Sequence, residues 1–128
     1  MALRAFPVIY ARDVEAVAAF YTRLGFAEGF RMPTDDGTAG FIRLEREGVE
    51  LGVTTEESPR MLAGVQPGPG PRHELFVYVD DVDQTVAALQ GDGTKVVREP
   101  ADMFWGERLA YVADPEGNLV VLAGASAA

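Results

Sequence analysis

IYARDVEAVAAFYTRLG, residues Ile9 to Gly25, is the stretch on which the fold turns, because VYVDDVDQTVAALQGDG, residues Val77 to Gly93, restates its plan 68 residues later. In each copy an alternating apolar run ends at an aspartate, Asp13 or Asp81, whose short carboxylate suits it to cap a helix. A glycine, Gly25 or Gly93, follows twelve residues on, where a helix can stop in a left-handed turn. Between cap and stop, Val14, Val17, Tyr21 and Leu24 recur at helical spacing, as do Val82, Val86 and Leu89. Each copy therefore reads strand, cap, helix, stop, with one helix face to be buried.

Working outward, three short strand-like runs follow each helix. They are Phe26 to Met32, Gly40 to Leu44 and Val49 to Thr54 in the first copy, then Lys95 to Arg98, Arg108 to Ala113 and Leu119 to Leu122 in the second. Asp35-Asp36-Gly37 and Asp114-Pro115-Glu116-Gly117-Asn118 have the composition of tight turns. Gln66-Pro67-Gly68-Pro69-Gly70-Pro71 excludes regular structure and suits a stiff connector, and Ser58-Pro59 before it is able to start one short helical turn. The expected fold is α+β: two βαβββ modules, about 1–56 and 72–124, joined by a linker at about 57–71 in a single domain of 128 residues. The sheets are expected to form a curved mixed surface around a central groove, where function would lie.

Composition narrows the classes. The chain has no cysteine, which removes disulfides, thiolate metal sites and thiol catalysis. Its net charge of −9 repels phosphate backbones and anionic lipid, so neither nucleic acid nor membrane is an expected partner. The start of the chain, with Arg4 and Arg12 interrupting a short apolar run, does not read as a secretion signal, and a cytoplasmic location is expected. No serine, threonine or tyrosine stands with a histidine in a triad-like arrangement, and the glycines form no phosphate loop.

These residues resemble the vicinal oxygen chelate superfamily of glyoxalases, extradiol dioxygenases and bleomycin resistance proteins. The resemblance is carried by Pro7-Val8, Ala11-Arg12-Asp13-Val14, Phe20 and Arg23-Leu24-Gly25-Phe26, and by Trp105-Gly106 followed by Asp114-Pro115-Glu116-Gly117-Asn118. It covers almost the whole chain and looks closest to the metal-free bleomycin resistance proteins. The resemblance implies four metal-ligand positions, two per module. Counted from the capping aspartates and the turn glycines, they fall on Phe6, Gly52, Glu74 and Val121. Only Glu74 of these is a metal donor, whereas a divalent centre ordinarily needs three or more. No metal and no other cofactor is therefore expected. Glu50, two residues from Gly52 and of the same strand parity, leaves open a weak two-carboxylate site with Glu74, while His73 has the opposite parity.

Trp105 and Phe104 lie in an apolar cluster where a polar loop would be expected, and such faces stack planar ligands. Glu74 is a candidate partner for a ligand amine, and Phe30, Phe41 and Tyr111 are candidate groove walls. Together with the resemblance, these residues imply metal-independent binding and sequestration of a small cationic aromatic antibiotic of the bleomycin type. A homodimer is implied, with Pro7 at the place where the family's first strand can swap between subunits. The alternatives are a metal-dependent glyoxalase-like or dioxygenase-like enzyme, an isomerase using Glu74 as base, and a non-catalytic metabolite carrier or regulator.

Overall fold

The computed structural model describes residues 4–126, and they divide between Gly68 and Pro69 into two compact units. The first contains β1 (Val8–Ala11), α1 (Val14–Thr22), β2 (Ala27–Pro33), β3 (Ala39–Arg46), β4 (Val49–Thr55) and α2 (Glu57–Ala63). The second contains β5 (Glu74–Tyr78), α3 (Val82–Gly91), β6 (Lys95–Asp102), β7 (Glu107–Ala113) and β8 (Leu119–Ala125). Each unit is βαβββ, and each forms a four-stranded mixed sheet, ordered β1-β4-β3-β2 in one and β5-β8-β7-β6 in the other. The first strand pairs in parallel with the last, Val8 opposite Gly52 and Phe76 opposite Val121, and the remaining pairs are antiparallel.

The duplicated stretch behaves as its pattern requires. Asp13 accepts a hydrogen bond from the Ala16 amide and Asp81 from the Gln84 amide, both at 3.0 Å. Gly25 and Gly93 end the two helical segments at φ of 91° and 92°, a region a side chain would strain. Val14, Val17, Tyr21 and Leu24 are buried, as are Val82, Val86 and Leu89. In the first module α1 covers the sheet face made by Ile42, Leu44, Leu51 and Val53; in the second α3 lies against β6, β7 and β8. Strand parity turns the alternate residues to the opposite face of each sheet, away from α1 or α3.

Three boundaries differ from the expectation by three residues or more, the other strands by one or two. The strand read as Lys95 to Arg98 continues to Asp102, because a register shift between Arg98 and Ala101 takes Glu99 and Pro100 out of the ladder. A bulge of this kind absorbs a proline that lacks a ladder donor. The last strand likewise runs three residues past Leu122. The helical turn expected at Ser58-Pro59 is present and longer than expected, α2 occupying the start of the stretch read as linker and closing at Gly64 with φ 69°, and only the proline-glycine run after it is irregular. The turn before β8 is fixed by Asp114, whose Oδ1 accepts from the Glu116 and Asn118 amides at 2.9 Å. No helix among the described residues is long and apolar enough to cross a membrane.

Candidate functional site

The helix-free face of the second module is rich in aromatic rings. Along β5, Glu74, Phe76 and Tyr78 share this face while Val77 points into the core. Phe76 and Tyr78 lie 6.3 Å apart, centroid to centroid, and both are exposed. Phe104 and Trp105 occupy the tip of the hairpin joining β6 to β7. The Met103 amide donates to the Glu107 carbonyl at 2.7 Å, and Gly106 supplies the positive φ that the turn needs. The two tip rings meet edge to face at 4.9 Å; Phe104 is 97% exposed and Trp105 51%.

Glu107 ties this surface together. Its Oε1 accepts from the Trp105 indole N–H and its Oε2 from the Tyr78 hydroxyl, each at 2.8 Å. Both bonds favour the charged carboxylate, so Glu107 is held below its ordinary value, Trp105 contributing more than Tyr78. Tyr78 is shifted upward by the same bond. Since the folded pKa lies below the unfolded one, the linkage contributes stability above the ordinary value of 4.5 and loses it as pH falls through the depressed folded value. The acid transition of Trp105 emission should therefore have its midpoint below the ordinary 4.5. A Glu107→Gln variant, titrated in parallel, should lack that acid transition. A Trp105 transition at or above the ordinary glutamate value in the parent protein would contradict the linkage.

Two further expected site residues share this face by register, outside the contacts of Glu107. Tyr111 is partly buried and packs against the cluster of Leu109, Val121 and Ala123. Glu74 is exposed at the start of β5, opposite Leu119. His73, just before it, keeps its Nε2 buried without a hydrogen-bond partner among the described residues.

On the first module's sheet face opposite α1, Phe30 and Phe41 come together at 6.2 Å. With Met32, Thr54, Met61 and Leu62 they line an open, mainly apolar cavity of about 490 Å³ between the sheet and α2. Arg4 chelates both carboxylate oxygens of Glu50 at 2.6 to 3.1 Å and lies over the Phe6 ring. This pairing holds Glu50 below the ordinary carboxylate range.

The implied metal positions do not fit a metal. A Cβ on Gly52 would lie 3.1 to 3.2 Å from ring carbons of Phe41 and Phe6, so two phenylalanines fill the space a ligating side chain would use. Val121 is fully buried among hydrocarbon, leaving Glu74 as the one donor of the set. Among the described residues, no three histidine, aspartate or glutamate side chains gather in a group able to hold a metal ion.

Sequence reasoning missed Phe76, Tyr78, Glu107, Met61 and Leu62. The parity of Glu74-Leu75-Phe76-Val77-Tyr78 was a usable signal for the first two, because alternation puts them on the face of Glu74.

Comparison with known proteins supplies an independent line. The sequence model described as the Glyoxalase/Bleomycin resistance protein/Dioxygenase superfamily matches residues 5–122. Among solved structures, the chain is similar to a glyoxalase/bleomycin resistance protein/dioxygenase family enzyme from Burkholderia phytofirmans PsJN. That match has a TM-score of 0.81 and 25% identity, over 94% of this chain and 97% of that one. TioX from Micromonospora sp. ML1 superposes with a TM-score of 0.79 at 22% identity, over 98% and 100% of the two chains. A lactoylglutathione lyase from Agrobacterium tumefaciens gives 0.70 at 19% identity, over 96% and 94%, a likeness of fold alone. No curated protein matches the sequence.

Proposed function

Because the chain belongs to the glyoxalase/bleomycin resistance protein/dioxygenase superfamily, in which one fold serves several activities, we propose that it binds and sequesters a small cationic aromatic molecule of the bleomycin type without using a metal. The observation that carries this reading is the carboxylate of Glu107 held between the Trp105 indole and the Tyr78 phenol. Flat rings and a fixed negative charge then share one exposed surface. A planar cation gains stacking on the rings and a charge-assisted bond to a carboxylate whose oxygens each retain a lone pair.

Absence of donors at three of the four ligand positions argues against the metal-dependent enzyme as the primary activity. Glu74, exposed and on the same face as Phe76, is a second carboxylate for a ligand amine. The homodimer implied by the resemblance belongs to the same proposal, and light scattering of the purified protein would test it.

The test of function is a titration of metal-free bleomycin into the protein, followed by the emission of Trp105, the only tryptophan. The expected result is saturable quenching at one ligand per subunit, unchanged by a chelator, with the ligand recovered intact. A flat trace supported by calorimetry, or chemical turnover of the ligand, would overturn the reading.

A further inference from the structure

Three neighbouring strands of the first module carry one row of side chains across the sheet. Met32 on β2 stands opposite Phe41 on β3, and Phe41 opposite Thr54 on β4, so the three share a face. Phe30, two residues before Met32, joins them, its ring 6.2 Å from that of Phe41. The short helix α2 supplies the other wall. None of its residues is buried, and Met61 and Leu62, which line the cavity, are 76% and 82% exposed. Water therefore lies against apolar side chains on both walls, and a molecule that displaces it gains the hydrophobic term on each side.

The chemistry of the walls selects the charge of the occupant. Among the described residues no ionisable side chain lines the cavity of about 490 Å³; its polar side chains are the hydroxyls of Thr34, Thr54, Thr55 and Ser58. Thr54 donates to the Gly40 carbonyl at 3.2 Å, and Thr34 is tied to Asp36 and Thr38 within the turn between β2 and β3. The Asp36 carboxylate is taken up in that turn, where it accepts from both threonine hydroxyls and from the Thr38 amide. A charged group entering the cavity would lose water without gaining a counter-ion, a penalty that a neutral group of the same shape escapes.

We propose that this cavity is a second binding site, for a neutral hydrophobic molecule the size of a few fused rings, held between the row of Phe30, Met32 and Phe41 and the helix α2. Its volume falls in the range of small-molecule pockets. The thioethers of Met32 and Met61 adapt to shape, so the site selects on charge and size rather than on exact outline. It makes a different chemical choice from the Trp105 surface and does not rest on it.

Calorimetry with three ligands of similar shape tests the proposal: naphthalene-2-carboxamide, naphthalene-2-carboxylate and 2-naphthylmethylammonium. The series is run on the parent and on Trp105→Ala, in which the surface proposed for cations is disabled. The amide is expected to bind both proteins equally and saturably, with Kd below about 1 mM. In Trp105→Ala it should bind at least about tenfold more tightly than either ion. Leu62→Asp charges the α2 wall at an exposed position, where little packing is lost, and should weaken the amide about tenfold or more. Leu62→Met, which keeps the wall apolar, should bind as the parent does, and thermal melts would establish that both variants fold. No saturable amide binding, loss of it in Trp105→Ala, an ion binding Trp105→Ala as tightly as the amide, or full affinity in Leu62→Asp would each overturn the assignment. Absence of amide binding together with a smaller particle size for Leu62→Asp would instead give these walls to a second copy of the chain.

Discussion

Replacing Trp105 by alanine is expected to weaken binding of a planar cationic aromatic ligand by about tenfold or more, because a base-sized ring stacked on an aromatic face is worth about 1–3 kcal/mol. The loss has two sources. The indole face disappears, and Glu107 loses one of the two bonds that orient it. Trp105 stands at a hairpin tip and is half exposed, so its removal opens no cavity and the melting temperature should change little. Calorimetric titration of parent and variant with the same ligand, beside their thermal melts, separates the two effects. Trp105→Phe should recover part of the affinity, since it restores a ring without the N–H. If Trp105→Ala binds as the parent does, the Trp105 surface is not where the ligand sits.

The largest effect on stability is expected at Phe20. Its ring is 2% exposed and meets Tyr21 edge to face at 5.0 Å, within the apolar face that α1 buries. Phe20→Ala removes that ring and leaves a cavity that close-packed neighbours fill only in part, at a cost of about 3–5 kcal/mol. That is a large fraction of the total stability of a small domain. Urea unfolding should show a lower midpoint with little change in slope. A cost under about 1 kcal/mol would mean that α1 is anchored by other residues.

What the sequence made legible follows from the range of the interactions concerned. Caps, helix stops and buried helical faces depend on residues within one or two turns of each other, so Asp13, Gly25 and the Val14, Val17, Tyr21 series could be read directly. The continuation of β6 past Arg98 could not, since Pro100 reads as a stop and only pairing with β7 carries the strand across the bulge. Trp105 was visible as an aromatic where a loop should be polar. Its anchor was not, because Tyr78 and Glu107 are 29 residues apart and meet only when β5 and β7 are placed in one sheet. The linker assignment concealed Met61 and Leu62 by treating residues from 57 onward as connection.

The strand order bears on how the chain reaches this state. Among the described residues of each module the opening strand has a single neighbour, the closing strand, so Val8 waits for Gly52 and Phe76 for Val121. The meanders β2-β3-β4 and β6-β7-β8 close short loops, whereas docking β1 or β5 closes a long one at an entropic cost paid before any ladder bond forms. Folding should therefore be limited by these two late insertions and run in milliseconds to seconds rather than microseconds. Until they occur, β4 and β8 each present an unpaired edge rich in valine and leucine, the kind of template on which neighbouring chains associate. Dilute refolding should consequently return more native protein than concentrated refolding.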